Sequence, residues 1–540
     1  MKNSTFLCLF LLISTTCISQ TLQDTIALID KAMINYLPEN PGAQLSIKRN
    51  GKIIFSKAYG KADLEHNTPL TLTSKIEAGS VSKQFTAAAI LLLEQQGKLS
   101  LNDDVRKYIP ELPNYGKVIT LEQMMHHTSG LKDWGTIAGL TGWERTTKAY
   151  TNDDVLEIIA AQKTLNNISG AEFLYSNSNY NLFAIIVKRV SGLSLAEFTK
   201  QNIFIPIGMT NTEWRDNHNR IVKDRAIAYS LTKDGYQTNM PNEDAYGNGG
   251  LLTTTEDLLK WNDYYQSGKF GTPSLLPKQI KTETFNNGKM NNYAAGLFIM
   301  EFKGHKDIAH DGATASYRAY LETFPDLNLT IAFLSNTSQF DGSKTPLHIA
   351  IKNILIAEKV KTETATNETT VDVSEAILNS YIGWYKNDRN GDGLKMEVKD
   401  KKLFFNNNPI VPQSETTFKN RQLLVEINNQ KKELNSISKT DTIHYTKVEA
   451  PVVNDKYLNQ YTGKYFSSET NSYINVSLKD GKLMMYIKPN NEFQLNPTYK
   501  GAFNIADFGG NLFFIEKKNK TTGMKVSLSR VRNIEFIKLE

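Results

Sequence analysis

Ser80, Val81, Ser82 and Lys83 open an apolar run, Phe85 to Leu93, that reads as a buried helix ending before Gly97. Residues three apart on a helix share a face, so the Lys83 ammonium can approach the Ser80 hydroxyl. The partial positive charge at a helix start favours negative charge developing on that oxygen. A serine hydroxyl is a weak nucleophile and needs such help. The chemistry this pair could do is attack on a carbonyl, with transient acylation of Ser80. Ser80 could equally cap the helix while Lys83 is a solvated cation. The same spacing recurs at Ser436-Ile437-Ser438-Lys439, in an alternating stretch that reads as a strand and brings no such pair together.

Two further motifs follow in order. Tyr175-Ser176-Asn177 precedes the helical stretch Asn181 to Val190. A phenol beside an ammonium can have its pKa lowered enough to exchange protons with a serine, and an amide can hold a substrate carbonyl. His310-Asp311-Gly312 stands directly before a strand hairpin. A polar residue followed by a glycine, which lets substrate backbone approach, makes one wall of an acyl-transfer cleft. Each motif taken alone reads as readily as structure: a buried tyrosine, a turn asparagine, a satisfied imidazole. Order and context carry the argument. Lys233-Asp234-Gly235 competes for the third place but lies in a polar stretch that reads as an exposed turn.

The elements that must position these motifs are legible from alternation and turns. Ala43 to Tyr59 alternates around Asn50-Gly51, the preferred pair for a two-residue hairpin. Tyr317 to Phe324 and Leu329 to Leu334 form a second hairpin around Pro325-Asp326. Distant strands framing a mainly helical insert predict an α+β class. Residues 358–374 have a linker composition of Lys, Glu, Thr and Asn. Beyond them the chain repeats itself: Leu378, Tyr381, Gly383 and Tyr385 match Leu458, Tyr461, Gly463 and Tyr465. About eight short alternating stretches per copy predict two small antiparallel barrels, with one barrel built from two half-repeats as the alternative. The expected organisation is a leader at 1–19, a catalytic unit at 20–357, the linker at 358–374, and repeats at 375–452 and 453–540.

With 40 % hydrophobic and 22 % charged residues in a 540-residue chain, the composition is that of a globular protein of several domains. The net charge of +6 comes from scattered rather than clustered Lys and Arg, which argues against nucleic acid as a partner. Lys2, the apolar run Phe6 to Ile13 and the small residues at Cys17-Ile18-Ser19 read as a secretory signal cut after Ser19, with lipidation of Cys17 the weaker reading. Cys8 and Cys17 are the only cysteines, so the processed chain has no disulfide and no thiolate metal ligand. No later stretch has the length of apolar sequence that a transmembrane helix needs. An exported protein, periplasmic or secreted, is expected, with association to the cell envelope left open.

Taken together, the three motifs resemble those of the serine β-lactamases and penicillin-binding proteins, whose signature begins with S-x-x-K. Tyrosine in the second motif looks like the class C enzymes and their DD-peptidase and esterase relatives. His126-His127-Thr128-Ser129-Gly130-Leu131, Pro206-Ile207-Gly208-Met209, Gly249-Gly250-Leu251 and Tyr293-Ala294-Ala295-Gly296 look like the same family. The resemblance implies a five-stranded antiparallel sheet flanked by helices, with a helical lobe between its halves. It implies Ser80 as nucleophile, Lys83 and Tyr175 as proton carriers, the N–H groups of Ser80 and Ala313 as oxyanion hole, and Asn177, His310 and Gly312 in contact with substrate. The substrate would be a small molecule or peptide, and no metal or organic cofactor is needed. Histidine at 310, where class C β-lactamases usually carry lysine, resembles some DD-peptidases and D-aminopeptidases, one of which also bears two C-terminal barrels. A non-hydrolytic penicillin-binding receptor or an envelope-binding protein is the alternative. The barrels are expected to limit access rather than supply site residues, and a chain ending in the linker to stay soluble.

Overall fold

A computed structural model describes residues 22–145, 147–339, 346–357, 371–420, 423–439 and 441–540. The leader at 1–19 and most of the linker lie outside the described residues. Asn50 and Gly51 both adopt positive φ and turn β1 (Ala43–Arg49) back into β2 (Lys52–Tyr59), as an Asn-Gly pair should. The sheet is completed by β3 (Phe298–Phe302), β4 (His305–Thr314), β5 (Tyr317–Phe324) and β6 (Leu329–Ser335). Its order is β3-β4-β5-β6-β1-β2, all antiparallel. The sheet therefore has six strands rather than five. The additional edge strand is β3, which pairs Phe302 with His305 across a two-residue turn at Lys303-Gly304. The register Ala43↔Ser335 joins the two ends of the catalytic half.

Alternation decides what each face of the sheet meets. Leu45, Ile47 and Phe333 point toward Ile29 of α1 (Leu22–Ala32) and Ile351 of the helix Leu347–Leu355, in one buried cluster. On the other side lie α2 (Lys83–Gln95), α3 (Asn177–Ser191) and α4 (Thr255–Gln266). Helices of surface type show one apolar stripe, but Lys83 to Leu91 and Asn177 to Val187 are buried all round. That is why α2 reads as almost continuously apolar. It is the axis of the helical lobe.

Both repeats close as eight-stranded antiparallel barrels. The first runs from Gly383–Asn387 to Thr442–Val448 and the second from Gly463–Ser467 to Val531–Lys538, with first and last strands paired in each. Closure leaves no free sheet edge. Repeat-equivalent residues fill equivalent places: Tyr385 and Tyr465, and Leu403 and Leu483, are all at most 1 % exposed. The barrels differ in what lies outside them. The first has a core of its own, whereas the buried residues of the second belong to one continuous cluster with the helical lobe. A fully buried ion pair, Lys132 to Glu469, crosses that junction, as do hydrogen bonds from Gln162 to the Glu469 carbonyl and from Ser472 to the Leu140 carbonyl. Cutting at the linker would therefore strip apolar cover from the lobe, which bears against the expectation that a chain ending there stays soluble.

Candidate active site

Ser80 does not sit on the α-helix itself. It occupies a one-turn 3₁₀ segment, Gly79–Ser82, that leads into α2. In 3₁₀ geometry residues three apart eclipse, which places Lys83 Nζ 3.0 Å from Ser80 Oγ. The ammonium end also donates to Asn177 Oδ1 at 2.9 Å and to the Asn248 carbonyl at 2.6 Å. Lys83 is completely buried. Burial above all, then the nearby charges of Arg530 and Arg145, hold its pKa well below the usual lysine range. With Asn177 Oδ1 and the Asn248 carbonyl taking two of its hydrogens, Lys83 Nζ has its third position on Ser80 Oγ, and the lowered pKa favours release of the proton held there.

The second motif is held by the stretch Lys132-Asp133-Trp134. Asp133 accepts from the Asn177 N–H at 2.8 Å, and Ser178 Oγ accepts from the Trp134 N–H at 2.9 Å while donating to the Lys132 carbonyl at 2.7 Å. Asn177 is thus the first residue of α3, four residues earlier than the apolar pattern indicated. The Tyr175 ring is partly exposed, but its hydroxyl oxygen is enclosed without a hydrogen-bond partner of normal geometry. Burial pushes this phenol above its usual pKa, with the Ser80 hydroxyl and Arg530 opposing. The expected lowering by a neighbouring ammonium is therefore not what sets this phenol: Lys83 lies 4.8 Å over the ring centroid, but burial is the largest effect. Tyr175 is a neutral phenol at ordinary pH.

The third motif is on β4. His310 is 2 % exposed, and its Nδ1 hydrogen goes to the Asp311 carbonyl at 2.6 Å, so Nε2 accepts from the Tyr293 hydroxyl at 3.0 Å. Both ring nitrogens are engaged. Burial and then the charge of Lys83 bring its pKa down to about 4. Gly312 meets a packing need of its own: a Cβ there would stand 2.1 Å from the Ala78 carbonyl oxygen and 3.1 Å from Ser80 N. A Cβ on Gly79, whose φ is +50°, would stand 2.8 Å from Ala313 N. The two glycines let β4 press against the Ser80 turn, bringing the Ser80 and Ala313 N–H groups into one neighbourhood.

These residues face a cavity of about 330 Å³ lined by Ser80, Tyr175, Asn177, His310 and Ala313. Ser436 and Lys439 are remote from it, in the first barrel. Sequence reading missed four contributors. Asn248 stands immediately before Gly249-Gly250-Leu251, which was its available signal. His127 stacks its ring 4.2 Å from that of Tyr175 and accepts from the Ser176 N–H; its signal was the His-His-Thr-Ser-Gly-Leu stretch. Arg145 and Arg530, both on the cavity, carried no signal. Arg145 ends a chain of alternating charges that runs inward through Glu243 and Arg215 to the fully buried Glu77.

Ser80 and Tyr175 thus meet on one cavity of a sheet-and-helix domain, with Lys83 directly behind Ser80. The Beta-lactamase family model matches residues 31–355, and the chain belongs to that family. It is 26 % identical over 402 residues to penicillin-binding protein 4* of Bacillus subtilis, covering 70 % of this chain and 87 % of that one. It is 30 % identical over 305 residues to protein flp of Staphylococcus aureus, covering 55 % of this chain but only 59 % of flp's length. A solved structure, the octameric penicillin-binding protein homologue from Pyrococcus abyssi, shares the fold with a TM-score of 0.54 at 23 % identity, covering 87 % of this chain and 99 % of that one. Among the described residues no helix is long and apolar enough to cross a membrane.

Proposed function

We propose that the protein is an exported serine hydrolase that cleaves amides or esters through an acyl-enzyme on Ser80. The substrates would be β-lactams, D-peptides, or D-aminoacyl amides or esters. The observation that carries this reading is Lys83 Nζ, buried and within hydrogen-bond distance of Ser80 Oγ, Asn177 Oδ1 and the Asn248 carbonyl. Lys83 takes the Ser80 proton as the oxygen attacks the carbonyl carbon. The oxyanion is met by the Ser80 and Ala313 N–H groups, a contribution commonly worth about 3 kcal/mol per donor. Tyr175, a neutral phenol, gives its proton to the leaving nitrogen or oxygen and regains one from Lys83. Water then attacks the ester carbonyl, returns a proton through the same pair and restores the Ser80 hydroxyl. Asn177 steers Lys83 and the substrate carbonyl, while His310 and Gly312 shape the opposite wall. The catalytic unit would occupy 20–357 and the repeats 375–452 and 453–540, and the apolar run at 6–13 supports delivery to the periplasm or the exterior.

Intact-mass and peptide mapping after a fluorophosphonate or penicillin probe tests the reading, with a single adduct expected on Ser80. Turnover of a chromogenic ester separates an enzyme from a receptor that acylates and stops. An adduct on Ser82 or Ser436, or undiminished labelling in Ser80→Ala, would overturn it.

A further inference from the structure

The second barrel places one residue in the Ser80 cavity. Arg530 stands in the turn between the strands Lys520–Leu528 and Val531–Lys538. Its backbone carbonyl is fixed from the catalytic half by Asn166 Nδ2 at 2.9 Å and by the Asp133 N–H at 3.4 Å. Two residues on, the Arg532 N–H donates to Asn166 Oδ1 at 2.7 Å and the Arg532 guanidinium pairs with Glu172 at 2.6 Å. The turn is pinned on both sides. The Arg530 guanidinium lies 4.8 Å from the Tyr175 ring centroid and lines the same cavity as Ser80.

What distinguishes Arg530 is its lack of a counter-ion. Arg145, on the same cavity, is matched by Glu243, and Arg532 by Glu172. Among the described residues Arg530 has neither an ion pair nor a side-chain hydrogen bond. The one carboxylate on the cavity, Asp311, has a side chain 83 % exposed and stands at the rim. A guanidinium presents planar paired donors that match a carboxylate, and this one is backed by an aromatic face that fixes its plane.

We propose that Arg530 is a specificity-determining residue, binding a carboxylate or similar anionic group of the substrate close to the carbonyl that Ser80 attacks. Preferred substrates are therefore acid-bearing amides or esters, and the second barrel supplies part of the binding site. The proposal rests on Ser80 being the nucleophile.

Two fluorophosphonates of equal chain length, one ending in methyl and one in carboxylate, test it on the acyl side. Phenyl acetate and 3-acetoxybenzoate test the leaving-group side. In at least one pair the acidic member should react about tenfold faster or more at low salt, the size of a charge-assisted hydrogen bond, and added salt should shrink the gap. Arg530→Gln and Arg530→Met should each bring the acidic-to-neutral rate ratio down to about one, Met keeping the apolar stem over Tyr175. Equal reaction of both members in both pairs, or variants that slow acidic and neutral members alike, overturns the proposal in favour of a packing role. Failure of both fluorophosphonates to label Ser80 sinks the nucleophile assignment instead, so the two failures are distinguishable.

Discussion

The two barrels descend from one 80-residue pattern and fill their interiors alike, yet they relate differently to the catalytic half. The first touches it through polar contacts, among them Arg389 on Glu172 and Lys289 on Thr442, and keeps a separate core. The second merges its buried residues with the helical lobe and sends Arg530 into the cavity. Glu172 shows the contrast on a single side chain. It accepts from Arg532 of the second barrel, 9 % exposed, and from Arg389 of the first, 28 % exposed. Duplication copied the strands; the outward-facing residues set what each copy does.

Confining the chemistry to the catalytic half makes Ser80→Ala the strongest test of this contrast. Turnover should fall by about 10⁴-fold or more, with covalent labelling lost, and a barrel serine that retained the label would reverse the assignment. Next come the repeat-equivalent core residues Leu403 and Leu483. Either one changed to alanine should cost its barrel about 2–5 kcal/mol, but only Leu483→Ala should also loosen the lobe. Hydrogen exchange read along α2 would report it, and equal protection of α2 in both variants would dissolve the distinction between the barrels.

The Glu172 pairs give a smaller contrast. Arg532→Met leaves a buried carboxylate half-matched and should cost about 3 kcal/mol, against about 1 kcal/mol or less for Arg389→Met at a more exposed site. Denaturant midpoints measure both, and a reversed ranking would mean that the first barrel is the tighter partner.

Acid should also act on the catalytic half first. The folded-state pKa of His310, about 4, lies below the unfolded value of about 6.5, so between these pH values the unfolded chain binds more protons. Stability therefore rises with pH across that window and is lost as pH falls through it. His126 and His127 are buried and shifted in the same direction. Exchange in the catalytic half should increase between about pH 6.5 and 4 before the barrels respond, and simultaneous loosening would count against this account. Last, Tyr175→Phe keeps the ring that packs under Arg530 while deleting the hydroxyl. Acylation should slow by about 10²-fold, and an unchanged rate in a folded variant would leave Lys83 as sole proton carrier.

Features encoded in neighbouring residues are legible in the chain itself. Asn50-Gly51 announces its hairpin because few other pairs accept two positive φ values. The strands of both barrels announce themselves by alternation and turns. Ser80 and Lys83 are one turn apart and need only local helical geometry to meet. The edge strand Phe298–Phe302 escapes such a reading because Phe-Ile-Met-Glu-Phe barely alternates, and only pairing with β4 makes it a strand. The raised pKa of Tyr175 escapes it because depth of burial is not local.

The sequence by itself determined the order of the motifs, the α+β frame around a helical lobe, and the duplication that closes as two barrels, since each is written in short-range periodicity and turn chemistry. Only the tertiary structure decided that Arg145 is neutralised through Glu243, that Gly312 makes room for the chain's own backbone, and that the second barrel shares the lobe's core. It also decided the place of Arg530. An arginine in a strand turn has the same local pattern whether it meets water or a cavity, and what it meets here is set by residues hundreds of positions away that packing alone brings to it.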